Sequence, residues 1–235
     1  MRMKIPALLA TISALSLGFA DVYAAQRPVV VELFTSQGCS SCPPADLFLT
    51  ELAHNRPDVL ALAFHVTYWN ELGWPDPFSL EAATQRQSRY GERFGDGSYT
   101  PEIVVDGRKD ILGSSRSQVN AAIEAAEHES ATLATISVRS TIDGLAVDVG
   151  AGAGSAELLL IGFDEKHQTN VSGGENGGRT LTESNVVRSI TPIGQWHGNP
   201  ISIVVHAPEG DDVAAILQTA AGDIVGAART RRASE

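Results

Sequence analysis

Cys39 and Cys42 are the residues of this sequence whose type and spacing are best suited to chemistry, and the 235 residues contain no other cysteine. Because only two residues separate them, one thiol can attack a disulfide and the other can resolve the product. An apolar run from Val29 to Phe34 precedes the pair, and Pro43-Pro44 follows it. The pattern predicts a strand that leads into a helix, with the thiols at the helix N-terminus, where unpaired N–H groups stabilise a thiolate.

The cysteine pair has three interpretations. In a redox site, Cys39 attacks and Cys42 resolves the mixed disulfide. A structural disulfide between them closes a very short loop and therefore saves little chain entropy. A zinc site needs more ligands than the sequence offers, and a Cu(I) carrier, which two thiolates would suit, has only His65 as a further ligand. We favour the redox interpretation, with no metal and no cofactor.

Three other side chains are candidates for the same site. Glu32 interrupts the apolar strand before the cysteines, and a carboxyl group buried there is suited to acid–base catalysis. In the alternative interpretation, the alternation of side chains along the strand points Glu32 outward. Trp69 and Trp74 are predicted to form a substrate-binding rim around Cys39, although aromatic residues in such a connection also cover a sheet.

The elements around the pair follow from apolar periodicity. A helix runs from the cysteines to Pro57, and Val59–Val66 is apolar on both faces, as in a central parallel strand. A second amphipathic helix ends near Gly95, and Thr100-Pro101 leads into a strand, a hairpin turn at Asp106-Gly107 and a last helix. The predicted order over about residues 28 to 130 is therefore β, α, β, α, β, β, α.

This order, with C-x-x-C at the first strand-to-helix junction, resembles the thioredoxin-like superfamily. The resemblance implies that Thr100-Pro101 contains a cis-proline that faces the active disulfide and leaves the preceding backbone free to bind an extended substrate. It thus adds Pro101 to the catalytic residues and Thr100 to the substrate-binding ones. Proteins of this superfamily often keep a buried acid beneath the disulfide that takes the proton of the resolving thiol, and the resemblance implies this role for Glu32.

Longer stretches resemble the bacterial secreted family known as domain of unknown function 1223 (DUF1223). They are Glu32 to Asp46, Tyr99 to Gly107, Gly173 to Asn176 and Asn185 to Arg188. The resemblance implies a thioredoxin-like domain followed by a β-rich domain, and it implies no established activity.

From about Thr132 the sequence changes to short apolar runs separated by Gly, Asn and Asp, which predicts an antiparallel sandwich-like domain. The predicted strands are Ala134–Arg139, Leu145–Val149, Ala156–Phe163, Asn185–Ile190, Ile201–His206, Val213–Gln218 and Ile224–Ala228. The stretch Ser172 to Arg179 is rich in glycine but lacks the spacing of a nucleotide-binding loop. It is either a flexible hairpin tip or a segment that carries Glu175, Asn176 and Arg179 over the thiol site.

The N-terminus predicts export. Arg2 and Lys4 precede an apolar segment that ends in small residues near Ala25, which is typical of a signal peptide and too short to span a bilayer. We therefore divide the chain into a signal peptide (1–25), a thioredoxin-like domain (26–130) and a β-rich domain (131–235). The formal net charge of −11 disfavours nucleic acid as a partner, and no membrane span is expected after cleavage.

Together these features predict a periplasmic or secreted thiol-disulfide oxidoreductase. Its partners would be protein or small-molecule thiols and disulfides, together with an electron partner that the sequence does not identify. The alternative is a non-catalytic exported binding protein that uses the same fold as a scaffold, or a copper-handling protein.

Overall fold

The computed structural model describes residues 27–129 and 134–230, so the predicted signal peptide lies outside the described residues. The described residues form eleven strands and three helices. In chain order these are β1 (Val29–Thr35), α1 (Pro43–Asn55), β2 (Val59–His65), α2 (Glu81–Phe94), β3 (Glu102–Val105), β4 (Lys109–Leu112), α3 (Arg116–Glu129), β5 (Ile136–Thr141), β6 (Gly144–Val149), β7 (Ala156–Asn170), β8 (Thr180–Trp196), β9 (Ile201–Val205), β10 (Asp212–Gln218) and β11 (Ile224–Arg229).

Strands β1 and β2 lie at the centre of the sheet that carries the cysteines. They are parallel, from Val29 opposite Val59 to Thr35 opposite His65, and every residue of both is buried. One face of the pair packs against α1 and α3, and the other packs against α2. Because both faces are covered, both strands are apolar on both faces.

One sheet of eight strands joins the two halves of the chain, in the order β11-β10-β7-β8-β2-β1-β3-β4. Strand β8 pairs in parallel with β2, where Val186 lies opposite Ala63, and the side chain of Asn185 donates a hydrogen bond of 2.7 Å to the carbonyl of Ala61.

The predicted fold class, a thioredoxin-like domain followed by an antiparallel sandwich, is therefore wrong. The first half does have its elements in the predicted order, but the described part of the chain is mostly β structure in one mixed eight-stranded sheet and one three-stranded sheet. The physical reason is the outer edge of β2, whose backbone groups need partners. Strand β8 supplies some of them, so the large sheet continues into the second half.

Strands β7 and β8 form a hairpin much longer than predicted. They are 15 and 17 residues long and stay paired from Ala156 opposite Trp196 to Asn170 opposite Thr180. The sequence predicted only the apolar part of each strand, because the remaining residues are largely polar and partly exposed. This polar extension brings the segment 171–179 to the cysteines.

The three-stranded sheet, in the order β5-β6-β9, covers one face of the hairpin and of β10. Its apolar side chains share a core with Leu158, Leu217 and the fully buried Trp196. Within residues 27–129 and 134–230, none of the helices has the length and apolar character that a membrane span requires.

Candidate active site

The cysteines lie between the end of β1 and the start of α1, as the sequence predicts, and they form a disulfide. Cys42 caps α1, and Pro43 and Pro44 occupy the first positions of the helix, where a missing N–H costs no intrahelical bond. The exposed fraction of both Cys39 and Cys42 is 0%.

Two of the predicted substrate-binding residues, Trp69 and Trp74, contact the loop that carries Cys39, and the third, Thr100, contacts Trp69. The indole N–H of Trp69 donates to Thr100 Oγ1 at 2.9 Å, and a side chain at Gly38 would meet Trp69 Cβ at 3.2 Å. Trp74 donates from its indole N–H to Gln37 Oε1 at 3.1 Å. Both tryptophans therefore contact the residues directly before Cys39.

Pro101 lies against the first turn of α1. The Thr100–Pro101 peptide bond is cis. A side chain at Gly113 would approach Pro101 Cβ to 2.9 Å and Ala45 Cβ to 3.0 Å, so these three residues pack together. The structure thus brings Pro101 close to the helix that Cys42 begins.

Glu32 lies on the other face of the sheet from α1. Its carboxylate is bound by the Arg86 guanidinium at 2.5 and 3.1 Å and by the Tyr90 hydroxyl at 2.6 Å, and both partners belong to α2. Residues 30 and 34 of β1 share this face, whereas 31 and 33 face α1, as strand alternation requires. The described contacts of Glu32 therefore tie β1 to α2.

A cluster of four buried ionisable side chains contacts the residues that precede the disulfide, and the sequence analysis missed three of them. His65, at the end of β2, bonds through Nδ1 to Asp76 at 2.7 Å, and its Nε2 lies 3.7 Å from Glu183 Oε1 of β8. Asp46, in α1, accepts a hydrogen bond of 2.8 Å from the hydroxyl of Thr35.

Gln37 links this cluster to the cysteine loop. Its backbone N–H donates to Asp76 Oδ2 at 2.8 Å, and its side-chain amide donates to Glu183 Oε2 at 2.7 Å. The residue two positions before Cys39 is thus held by carboxylates from both halves of the chain.

Burial and mutual charge set the protonation of the cluster. Burial raises the pKa of Asp46 to about 8, and the neighbouring Glu183 adds to this effect. Burial alone would lower the pKa of His65, but the charges of Asp76 and Glu183 outweigh it and raise that pKa to about 9. Asp76 is also buried, yet the charge and hydrogen bond of His65 keep its pKa below the ordinary value. Near neutral pH the site therefore holds an imidazolium–carboxylate pair beside a protonated Asp46.

The segment 171–179 between β7 and β8 lies over the cysteine loop. Asn176 is fully buried, and its amide nitrogen donates to the carbonyls of Gln37 at 2.9 Å and Cys39 at 2.8 Å. Glu175 accepts a hydrogen bond of 3.0 Å from the backbone N–H of Ser40. Of the two interpretations of this stretch, the structure supports a segment that reaches the thiol site.

The three residues that the sequence analysis missed differ in how well the sequence could have indicated them. Asp46 stands on the apolar stripe of a predicted helix, between Ala45 and Leu49, and a carboxylate on a buried face needs an explanation. Asp76 lies in an irregular connection and Glu183 in the unpredicted part of β8, so neither has a local signal.

Two further observations concern ligands. Among the described residues, no group of three or more His, Cys, Asp or Glu side chains is arranged to hold a metal ion. A cleft of about 910 Å³ lies between α2 and the strands β7, β8 and β10, and neither cysteine lines it.

The fold and the site define a mixed α/β protein with a buried C-x-x-C disulfide that both halves of the chain enclose. The chain belongs to the family described as protein of unknown function (DUF1223), whose model matches residues 30–219. This match confirms the family that the sequence motifs indicate.

Two solved structures are similar to this chain. A crystal structure of a protein from Agrobacterium tumefaciens is 32% identical, with a TM-score of 0.77, over 88% of this chain and 96% of that protein. HBP35 of Porphyromonas gingivalis is 14% identical, with a TM-score of 0.57, over 89% of this chain and 78% of that one, and this second likeness concerns the fold alone. Comparison with curated proteins gives no match.

Proposed function

We propose that the protein is a thiol-disulfide oxidoreductase in which Cys39 and Cys42 exchange two electrons with substrate thiols. The observation that carries this proposal is the position of Asp46, a carboxyl group buried one helical turn after Cys42, and burial raises its pKa to about 8. Residues four apart lie on the same face of a helix, and in this proposal Asp46 is the group that exchanges a proton with the sulfur of Cys42.

A purely structural disulfide accounts less well for this site. The bridge spans a sequence separation of 3, and so short a loop gains little stability from closure. Burying Asp46, Asp76 and Glu183 beside it costs free energy that apolar residues would avoid. Perturbed ionisable groups gathered at one place are typical of functional sites.

The proposed reaction balances in two steps. A substrate thiolate attacks Cys39 Sγ, the Cys39–Cys42 bond breaks, and Cys42 leaves as a thiolate that takes a proton from Asp46. A second substrate thiolate then attacks the substrate sulfur of the mixed disulfide, and Cys39 leaves as a thiolate. The two protons released when the substrate thiols ionise return to Cys39 and Asp46, so that two substrate thiols become one disulfide and the protein disulfide becomes a dithiol.

The reverse sequence reduces a substrate disulfide, with the Asp46 carboxylate accepting the proton of Cys42. In either direction an external thiol or disulfide partner restores the starting state. We extend the proposal to export, since the site is a disulfide and stable disulfides form in oxidising compartments. Trp69 lies beside the cysteine loop, against Gly38, and its indole N–H donates to Thr100, which supports a role for these two residues in binding a substrate.

A second candidate, a non-catalytic binding protein, is favoured by one observation. Neither cysteine is exposed, and Asn176 covers the loop that carries Cys39. In this alternative the disulfide is inert and the hairpin of β7 and β8 is part of a scaffold.

The reduction potential of the mature protein separates the two candidates. Equilibration in glutathione buffers, followed by alkylation and mass measurement, gives the fraction of dithiol. We expect a potential between about −270 and −120 mV, the range of dithiol catalysts. We also expect the variant Cys42→Ser to accumulate a mixed disulfide through Cys39 when it is mixed with a disulfide substrate such as oxidised glutathione, one half of which leaves as a thiolate; the matched variant Cys39→Ser should not do so. A potential below about −300 mV would mark a structural bridge and overturn the enzyme proposal.

A further inference from the structure

Asn176 holds the backbone of the cysteine loop with both hydrogens of its side-chain amide. These hydrogens go to the carbonyls of Gln37 and Cys39, at 2.9 and 2.8 Å. The amide oxygen accepts a hydrogen bond of 2.9 Å from Arg179. Since an amide has one acceptor end and one donor end, this contact with Arg179 directs the NH₂ group towards the cysteine loop.

The backbone around Asn176 is closely fitted to the site. A side chain at Gly173 would lie 2.4 Å from the carbonyl oxygen of Gly73, so only glycine allows this approach. The N–H of Gly178 donates to the carbonyl of Val171 at 2.8 Å, which closes the base of the loop. Gly173 therefore serves close packing against the segment that carries Trp74.

The contacts of Asn176 have a chemical consequence for Cys39. They keep the loop in a position where the exposed fraction of Cys39 is 0%. A thiolate formed there lacks water, and desolvation disfavours the charged form of a thiol. Ionisation of Cys39 would stabilise the dithiol form, and burial removes that stabilisation while leaving the neutral disulfide unaffected, so the closed arrangement favours the disulfide over the dithiol.

We propose that Asn176 is a positioning residue of the redox site, an inference that rests on the proposed function. It acts through the carbonyls of Gln37 and Cys39, keeps Cys39 shielded from solvent, and thereby shifts the equilibrium towards the disulfide and slows exchange with external thiols. The C-terminal half of the chain thus controls the reactivity of a cysteine in the N-terminal half.

The test compares Asn176→Ala with the wild type and with Asn170→Ala. Asn170 is an exposed asparagine of the same hairpin, bound to Thr180, and serves as the matched control. We expect Asn176→Ala to shift the equilibrium with glutathione at least tenfold towards the dithiol, which is about 30 mV for a two-electron couple. The pH at which Cys39 is half alkylated should fall as well, because its thiolate gains solvent, and Asn170→Ala should match the wild type in both measurements.

Arg179→Ala provides a second variant in case Asn176→Ala does not fold. It leaves Asn176 in place but frees the orientation of its amide, and we expect a smaller shift in the same direction. A folded Asn176→Ala protein with the wild-type equilibrium and alkylation profile would overturn the inference, as would an unchanged Arg179→Ala protein if Asn176→Ala is unfolded. The wild-type potential itself tests the proposed function, whereas the ratio of variant to wild type tests Asn176, so the two failures are distinguishable.

Discussion

In the proposed reaction, Asp46 supplies the proton that the leaving sulfur of Cys42 needs. Its carboxyl group is buried in α1, accepts a hydrogen bond from Thr35, and has a pKa raised by burial to about 8. It is therefore protonated at neutral pH in the disulfide form, which suits a general acid.

We predict that Asp46→Asn lowers the rate of reaction with a thiol on the order of 10²-fold, the lower end of the range for general acid–base catalysis. When the rate is divided by the concentration of substrate thiolate, the wild type should lose activity above about pH 8, as Asp46 loses its proton. The variant should lack this inflection. The matched control is Glu51→Gln, an exposed acid of the same helix, and an inflection that persists in Asp46→Asn would contradict the role.

The residues that could be predicted from the sequence are those with a local signature. The spacing of Cys39 and Cys42 identifies them as a site, and the position of Trp69 and Trp74 after β2 identifies them as neighbours of that site. Glu32 drew attention because it interrupts an apolar strand, but the choice of face depends on α2, which lies far along the sequence. From the sequence alone, His65 is predicted to be a packed histidine, because no local pattern indicates that the carboxylates of Asp76 and Glu183 lie beside it.

At the scale of elements, Glu32 and Arg86 connect β1 to α2. Arg86 binds the carboxylate, and its guanidinium also bonds to Tyr90 and Gln218, so the helix, the central strand and β10 meet at one buried network. The exposed fraction is 2% for the side chain of Arg86 and 0% for that of Glu32. Removing one partner leaves the other charge buried without compensation.

We predict that Glu32→Gln lowers the free energy of unfolding by about 3–5 kcal/mol, the usual cost of breaking a buried ion pair. The pH profile of thiol exchange should stay that of the wild type, because the contacts of Glu32 lie on the face of β1 away from α1. Urea denaturation and stopped-flow kinetics measure the two effects. A changed pH profile with unchanged stability would instead support the catalytic role predicted from the sequence.

The full length of β7 and β8 could not be predicted from local patterns of apolar residues. An apolar run predicts the buried part of a strand, whereas residues 164–170 and 180–184 pair without a continuous apolar run. The hairpin extension that carries Glu183 and supports Asn176 therefore had no signal in periodicity.

At the scale of the whole molecule, the sheet order depends on a pairing that the sequence does not encode locally. Strand β2 pairs with β8, whose Val186 lies more than one hundred residues after Ala63. Apolar periodicity identifies both strands but cannot assign one to the other. The predicted fold class, a thioredoxin-like domain followed by an antiparallel sandwich, failed at this contact, which also brings Glu183 to His65.

Because one sheet and one buried cluster join both halves, we predict a single cooperative unfolding transition in urea. The folded-state pKa of Asp46 is raised from 3.8 to about 8, and that of His65 from 6.5 to about 9. In both cases the folded protein holds a proton that the unfolded chain releases, so stability is lost as pH rises through these values. The urea midpoint should fall steadily from pH 6.5 to 9, and it should fall less in Asp46→Asn. Two separate transitions would show that the halves fold independently, and a midpoint that rises over this range would show that the cluster does not hold these protons.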